Sequence, residues 1–355
     1  MQGNKKVRIK DVARLAGVSE GTVDRVIHKR GEVSETSRIA VEKVMKDMRY
    51  VPNIIARSLA SRKQYKFVCL IPSYQEGEYW HSVDQGIDKA MEDFMHYNVD
   101  IVRKYYDQYD QQSFCNAYTN ILEMKPEAVF IAPIFRTETL RFTDLLTKLK
   151  IPFSFLDSVI EEAPFITYYG QHSMQSGYVA AKLLCTNLTS FSKILVVRTK
   201  RDGESFSNQT IGRYQGFTRY LTENNFQGSQ IKIELVDGDH TNNRAVLTDT
   251  FNTHPDIQAA ITFNSKVFRL ADFLKSIAKK DVLLVGYDLL AENVNYLKEG
   301  IVSYLIAQRP EKQAYFSIRD MCNKLIFDRK NEKMNFVPID ILIKENIDYY
   351  LNFRD

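Results

Sequence analysis

The sequence predicts a small all-α domain followed by a larger α/β domain made of two parallel-sheet lobes. Short amphipathic patterns with turn signals fill the first 50 residues, whereas beyond Lys66 short apolar runs alternate with longer amphipathic stretches. A chain of 355 residues also exceeds the roughly 50–200 residues of one typical domain. Two or three structural units are therefore expected.

The all-α region carries three helical patterns. The first stops at Gly17; Ser19 is the candidate N-cap of the second, which extends to about Ile27, and Ser34 is the candidate N-cap of the third. The apolar positions that recur at helical spacing are Val12, Leu15 and Ala16, then Val23, Val26 and Ile27, then Ala40, Val41, Val44 and Met48. These positions should form the small domain's core.

A linker joins the two regions. Pro52 stops helix propagation, and the segment 53–63 is too short to be a stable helix alone, although support from a partner could make it helical. We divide the chain into an all-α domain, a hinge and a large domain, residues 1–52, 53–65 and 66–355. Within the large domain we assign lobe 1 to about 66–170 and 309–335, and lobe 2 to about 171–308 and 336–350.

The large domain reads as alternating strands and helices. Six short apolar runs predict buried strands at 67–71, 128–132, 153–156, 194–197, 259–263 and 282–286. Strands that alternate with helices indicate βαβ units and a mostly parallel sheet. The strands fall into two groups with a break near Gly170, so we expect two lobes that face a cleft.

Charge separates the two regions. Residues 1–63 hold 15 Lys and Arg against 7 Asp and Glu, a net charge of +8, and the remainder holds 33 against 37, a net charge of −4. A basic domain on a mildly acidic body is the pattern expected when only that domain binds a polyanion.

Other features narrow the class of protein. The chain lacks an apolar run of membrane-spanning length and an apolar core near its start, so we expect neither a membrane partner nor a signal peptide. The cysteines (Cys69, Cys115, Cys185 and Cys322) form no CxxC pair, which favours reduced thiols and a cytoplasmic location. Without G-x-S-x-G, G-x-G-x-x-G or P-loop motifs, we expect no enzyme and no cofactor.

The first 60 residues resemble the lactose-repressor (LacI) family of bacterial regulators. The segments IKDVARLAGVSEGTVDRVI (9–27), VS (33–34), YVPN (50–53) and ARSLA (56–60) fit the family pattern in order and spacing. The resemblance implies a helix-turn-helix DNA-binding domain, and a body similar to the periplasmic sugar-binding proteins.

The resemblance also implies which residues contact DNA. Glu20, Gly21 and Arg25 occupy base-reading positions, where Arg25 could bind guanine and Glu20 a cytosine amino group. The full set of expected DNA contacts is Ser19, Glu20, Gly21, Thr22, Arg25 and His28, with the hinge residues Asn53, Ala56 and Leu59 in the minor groove. Asp24 departs from the family pattern, which usually has Ser at this position. Because a carboxylate facing phosphate is repulsive, Asp24 either points away, pairs with Arg25 or Lys29, or alters the docking.

Polar and aromatic residues near strand ends are the candidate effector site. Open α/β sheets bind ligands outside the carboxyl ends of their strands. The resemblance implies a ligand between the lobes, and the candidates near strand ends are Tyr79, Trp80, Asp157, Asn264, Asp288 and Gln308. Arg213 is a further candidate, because it lies where the family has R-x-x-G-F. Aromatic faces together with several polar groups suit a small carbohydrate or a sugar acid.

The sequence leaves alternatives open at three places in the large domain. At the lobe crossover, either His172 and Ser173 or Gln171 and His172 replace the family's Asp-Asn pair. Arg136 is either a surface residue or a site for an acidic sugar. The loop that contains Asp237, Asp239 and His240 is either a strand-ending loop or a metal cluster, and we expect no metal.

We therefore expect a homodimeric repressor that binds palindromic operator DNA and responds to a ligand between its lobes, with the hinge as an order–disorder switch. The sign of the response stays open. Two alternatives are a periplasmic-type solute-binding protein, which leaves the basic domain unexplained, and an enzyme fused to a DNA-binding domain.

Overall fold

The computed structural model describes residues 7–28, 31–48, 63–200 and 207–352. The chain divides into two compact units, Met1–Lys63 and Gln64–Asp355. The predicted hinge contacts Asn53, Ala56 and Leu59, and the side chain of His28, lie outside the described residues.

The first unit contains three helices, α1 (Ile9–Ala16), α2 (Glu20–His28) and α3 (Glu35–Asp47). The predicted boundaries are confirmed: Gly17 ends α1 in the left-handed conformation, with φ of 65°, and the Ser34 side chain accepts a hydrogen bond from the Ser37 amide. Among the described residues, the buried members of this core are Val12, Ala13, Val23 and Val41.

The predicted inward position of Leu15 is wrong, because 55% of this side chain is exposed and Ala13 is buried instead. Helix α1 packs on both α2 and α3, and this double contact turns the Ala13 side of the helix inward.

The second unit contains two six-stranded sheets. The first sheet is formed by β1 (Tyr65–Pro72), β2 (Val99–Tyr106), β3 (Ala128–Ile131), β4 (Phe153–Leu156), β5 (Tyr168–Gly170) and β11 (Met334–Phe336). The second is formed by β6 (Lys193–Lys200), β7 (Ser229–Val236), β8 (Ile257–Thr262), β9 (Leu283–Tyr287), β10 (Tyr304–Ala307) and β12 (Asp340–Leu342).

The two sheets share one topology. Their strand orders are β11-β5-β4-β3-β1-β2 and β12-β10-β9-β8-β6-β7. All pairings are parallel except that of β12 with β10. All six predicted strands are present, so the predicted fold class of two parallel-sheet lobes is confirmed.

Helices cover both faces of each sheet. They are α4 (Tyr79–Phe94), α5 (Gln111–Met124), α6 (Arg136–Lys148), α7 (Ser173–Thr186), α8 (Asn208–Glu223), α9 (His240–Thr253), α10 (Val267–Ser276), α11 (Ala291–Lys298), α12 (Pro310–Leu325) and α13 (Ile347–Asn352). Each sheet has an apolar cluster on both faces, as parallel sheets require. In the described parts of the chain, no helix combines the length and apolarity that a bilayer crossing needs.

Three segments connect the lobes. The chain passes from the first sheet to the second after β5, returns after β10, and crosses again between β11 and β12. We call the part built on the first sheet lobe 1 and the part built on the second sheet lobe 2. Because the chain leaves each sheet at the carboxyl end of a strand, these ends of both sheets face one cleft.

Candidate functional site

A cavity of about 160 Å³ lies between the two lobes. Its wall contains all seven residues that the sequence predicts for the effector site, namely Tyr79, Trp80, Asp157, Arg213, Asn264, Asp288 and Gln308. The volume is below the roughly 300–1,000 Å³ of pockets for drug-sized ligands, so the cavity suits a compact molecule.

Strand ends hold the two aspartates at the cavity. Asp157 follows β4 and Asp288 follows β9, and both adopt left-handed backbone conformations with φ of 68° and 69°. This conformation is uncommon outside glycine, although aspartate tolerates it better than most residues. The chain therefore turns sharply at the strand end and leaves the carboxylate beside the cavity.

Arg213 is fixed from three sides. Its Nη1 donates to the Phe263 carbonyl at 2.8 Å, its Nη2 donates to Gln209 Oε1 at 2.7 Å, and its guanidinium lies 3.9 Å from the centre of the Tyr287 ring. Only 2% of the residue is exposed. A planar cation that is stacked and hydrogen-bonded in this way cannot reorient freely.

Gln209 connects the lobes, and the sequence analysis missed it. Its Nε2 donates to the backbone oxygen and to Oδ1 of Asp157 at 2.6 and 2.8 Å, while its Oε1 holds Arg213. The available signal was spacing: Gln209 lies one helical turn before Arg213, so both side chains share one face of α8.

Asp288 and Gln308 form a buried pair on lobe 2. Gln308 Nε2 donates to Asp288 Oδ1 at 2.6 Å. Burial raises the pKa of Asp288 to about 6, against the opposing effects of the Arg213 charge and the Gln308 hydrogen bond. Within the described residues, Gln308 Oε1 accepts no hydrogen bond and Arg213 Nε donates none. Buried polar atoms of this kind are available to a ligand.

Aromatic rings supply the opposite wall. Tyr79 and Trp80 begin α4, and their ring centres lie 5.3 Å apart at 88°. Burial, followed by the nearby charges of Asp157 and Asp288, raises the pKa of the Tyr79 hydroxyl. The cavity thus has its tyrosine and tryptophan rings on lobe 1, beside Asp157, and most of its polar groups on lobe 2.

Asp237, another wall residue, is held by cations. Lys266 Nζ donates to its Oδ2 at 2.6 Å and Arg269 Nη1 donates to its Oδ1 at 2.7 Å. Burial alone would raise the pKa of Asp237, but the hydrogen bonds from Lys266 and Tyr109 hold it at about 2. Asp239 caps α9 by accepting from the Asn242 amide. The interpretation as a strand-ending loop is therefore correct.

Neither alternative for the lobe crossover lines the cavity. Gln171 is buried and bonds the Ala307 carbonyl, His172 caps α7, and Ser173 is the first residue of that helix. Arg136 pairs with Glu162 at 2.5 Å on the surface and is also absent from the cavity wall. The interpretation of Arg136 as a surface residue is therefore correct.

On the candidate recognition helix α2, most of the residues that are predicted to contact DNA are exposed to solvent. Glu20, Gly21 and Arg25 are exposed, as is Asp24, while Val23 is buried against α1 and α3. Ser19 Oγ accepts from the Thr22 amide at 3.1 Å and contacts the Thr22 hydroxyl at 2.9 Å. The helix start is thereby fixed, and the roles of these residues in DNA binding stay predictions.

Known proteins resemble both units. Residues 67–328 match the periplasmic binding protein domain, and residues 8–53 match the bacterial regulatory proteins of the lacI family. The HTH-type transcriptional regulator MalR of Streptococcus pneumoniae is 29% identical over 180 residues, which are 50% of this chain and 52% of MalR. The chain thus spans about half the length of the first curated relatives it matches.

Longer matches exist. The HTH-type transcriptional repressor PurR of Yersinia pestis is 23% identical over 343 residues, 91% of this chain and 92% of PurR. A crystal structure assigned as a LacI transcriptional regulator from Bacteroides fragilis is 41% identical, with a TM-score of 0.76, and covers 81% of this chain and 100% of its own. With a helix-turn-helix unit, a two-lobed body and this likeness, the chain belongs to the lacI family of bacterial regulatory proteins.

Proposed function

We propose that this protein is a transcriptional repressor whose affinity for operator DNA is controlled by a small sugar-like ligand bound between its lobes. The observation that carries the proposal is the convergence of seven residues from strand ends and helices on one inter-lobe cavity, in a chain that also has a basic helix-turn-helix unit. Because relatives of this chain are named as a transcriptional regulator and a transcriptional repressor, this function is favoured over catalysis.

The charges of the cavity wall favour a neutral polyhydroxylated effector over a sugar acid. Among the described residues of the wall, each cation has an oxygen partner: Lys266 binds Asp237, Lys200 binds Glu234, and the two terminal nitrogens of Arg213 bind a carbonyl and an amide oxygen. Asp157 and Asp288 face the cavity and would repel a carboxylate. Hydroxyl groups can donate to these carboxylates, and a sugar ring can stack on Trp80.

A thermal-shift screen tests the effector. We expect a neutral sugar to raise the melting temperature, because a ligand that binds only the native state stabilises it by about 2.7 kcal/mol at 100 times its Kd. Paired neutral and oxidised forms of one sugar, at equal ionic strength, provide the control. A shift caused by the acids alone would contradict the charge argument.

The proposal assigns operator contacts to Ser19, Glu20, Gly21, Thr22, Arg25 and His28, in a homodimer on palindromic half-sites. An operator selected from random DNA should bind with a steep salt dependence. Arg25→Ala should cost about 1–3 kcal/mol and relax the preference at one base pair per half-site. Arg38→Ala is the matched control, because Arg38 is occupied by Glu35 and Glu42 along α3. Equal weakening of Arg25→Ala on all sequences would assign Arg25 to phosphate.

We also propose the division into residues 1–52, 53–65 and 66–355, with the hinge as the coupling element. If ligand binding changes the lobes, and the lobes order the hinge, the two affinities are linked. Operator DNA must then change the affinity for the ligand by the same factor by which the ligand changes the affinity for operator DNA. Leu59→Ala should weaken operator binding and leave ligand affinity of the free protein nearly unchanged. Identical ligand affinities with and without DNA would remove the coupling.

The competing functions make different predictions. A solute-binding protein would show no preference for any DNA sequence, and an enzyme fused to a DNA-binding domain would turn over the sugar that shifts its melting temperature. We expect sequence-specific DNA binding and no turnover, in the cytoplasm where operator DNA is accessible.

A further inference from the structure

A hydrogen bond joins the two lobes at the edge of the cavity. Tyr109 Oη donates to Asp237 Oδ2 at 2.6 Å. Tyr109 lies between β2 and α5 in lobe 1, and Asp237 follows β7 in lobe 2. We name this contact, with the cations Lys266 and Arg269 that hold Asp237, the rim clasp.

Separation of the lobes would break only one of the two sides of the rim clasp. Lys266 and Arg269 belong to lobe 2 and would move together with Asp237. Tyr109 belongs to lobe 1, so its bond to Asp237 must break if the lobes separate here. A hydrogen bond from a phenol to an ionised carboxylate is among the stronger side-chain bonds in proteins.

Asp237 is already engaged at both carboxylate oxygens. Oδ1 accepts from Arg269, and Oδ2 accepts from Lys266 and Tyr109. Although Asp237 lines the cavity, its hydrogen bonds point to cations and to the opposite lobe. This separates it from Asp288 and Gln308, whose surroundings leave a buried acceptor available.

We propose that Tyr109 is a positioning residue that holds the lobes closed through Asp237 before any ligand binds. The rim clasp sets how often the cavity opens, and therefore how fast a ligand enters and leaves. Only the statement about how fast a ligand enters and leaves rests on the proposed function, since closure of the lobes can be measured without a ligand.

The chain contains its own reporter of closure. Trp80 is the single tryptophan of the sequence, it lines the cavity, and 8% of it is exposed. Opening of the lobes would bring water and small solutes to its ring. Acrylamide quenching of Trp80 fluorescence in the full-length protein without added ligand therefore reports on the rim clasp.

The test compares Tyr109→Phe with Tyr105→Phe. Both tyrosines are half exposed, at 50% and 45%, and both donate to an aspartate, but Tyr105 bonds Asp84 within lobe 1. Loss of a hydrogen bond to a charged group should raise the population of open lobes by about 10-fold. We expect Tyr109→Phe to increase the quenching constant and to shift the emission to longer wavelength, and Tyr105→Phe to match the wild type.

Small-angle scattering of the same samples provides a second readout, because open lobes increase the radius of gyration. The contact between Gln209 and Asp157 remains in the variant, so the opening should be partial. Unchanged quenching in Tyr109→Phe, or an equal increase in both variants, would overturn the proposal. Either result leaves the proposed effector site untouched, since that site is tested by ligand-dependent stability.

Discussion

The two lobes have the same sheet topology but contribute different chemistry to the cavity. Lobe 1 supplies the aromatic pair Tyr79 and Trp80 from a helix start, together with one carboxylate. Lobe 2 supplies Arg213, Asn264, Asp288 and Gln308, which are mostly strand-end residues with hydrogen-bonding groups. The shared fold determines where ligand-facing residues can lie, and the side chains divide apolar contact from polar recognition.

The lobes also differ in how their packing is linked to the site. Each contains a close contact between two helices that only glycine permits. In lobe 1 a Cβ on Gly86 would come 2.0 Å from the carbonyl oxygen of Glu311; in lobe 2 a Cβ on Gly177 would come 1.8 Å from that of Arg213. The contact in lobe 2 therefore involves the backbone of a cavity residue directly, whereas the contact in lobe 1 acts on Tyr79 and Trp80 only through the position of α4.

The largest expected effect is that of Arg213→Met. Removing Arg213 leaves two buried acceptors, the Phe263 carbonyl and Gln209 Oε1, without their donor at about 1–3 kcal/mol each, and it takes a nearby cation away from Asp288. We expect loss of effector binding together with a large drop in the unfolding free energy, measured by urea titration. Arg103→Met is the lobe 1 control, because Arg103 pairs with Asp84 and Asp88 away from the cavity. Loss of effector binding in the control as well would contradict the division between the lobes.

Next come the two glycines. Gly177→Ala and Gly86→Ala should each lower the unfolding free energy by about 3 kcal/mol, because a methyl group against a backbone carbonyl forces two helices apart. Gly177→Ala should weaken effector binding more than Gly86→Ala, since it displaces the Arg213 backbone directly, whereas Gly86→Ala acts on Tyr79 and Trp80 only through the position of α4. Titration calorimetry with the sugar found by thermal shift measures this, and equal affinities in both variants would show that Arg213 tolerates the displacement.

Much of this arrangement could be predicted from the sequence. The interior strands were found because strands covered on both faces are continuous apolar runs, as in 153–156. The strands β2 and β7 were missed because they lie at sheet edges, where Arg103, Lys104, Lys232 and Glu234 interrupt the apolar pattern.

The visibility of a strand in the sequence also decides which residues of the site could be predicted. Asp157, Asp288 and Gln308 follow recognisable strands, so their convergence follows from parallel topology alone. Gln209 and Lys266 reach the cavity from a helix and from the loop before a helix, and their positions depend on tertiary packing. Apolar spacing alone did not assign the buried face of α1, since Leu15 fits the pattern and is exposed.

A smaller effect is expected from Asp288→Asn, and it should be stabilising. Burial raises the pKa of Asp288 to about 6 from an ordinary value of 3.8, so the charged form is disfavoured in the folded protein. The wild type should lose stability from this group as the pH rises from about 4 to about 6. The variant should therefore exceed the wild type by up to about 3 kcal/mol at pH 7.5 and by little at pH 4.

Asp84→Asn in lobe 1 is the contrast. Asp84 is buried too, but Arg103 pairs with it and two tyrosine hydroxyls donate to it, so this substitution should destabilise the protein. Thermal unfolding between pH 4 and pH 7.5 measures both variants. A destabilised Asp288→Asn at pH 7.5 would mean that Arg213 already stabilises the buried charge in full.

The smallest expected effect concerns the aromatic wall itself. Trp80→Phe keeps an aromatic face but reduces the area that can stack on a sugar ring, so effector affinity should fall by about 1 kcal/mol, roughly fivefold. Phe263→Leu is the matched change in lobe 2: Phe263 also lines the cavity, but its ring packs at 5.7 Å against Phe217 in the core. We expect this second substitution to lower the melting temperature and to leave effector affinity nearly unchanged. Titration calorimetry suits both variants, because Trp80→Phe removes the only tryptophan signal. If both substitutions weakened effector binding equally, both lobes would supply aromatic contacts to the effector, and only the polar groups would still distinguish the lobes.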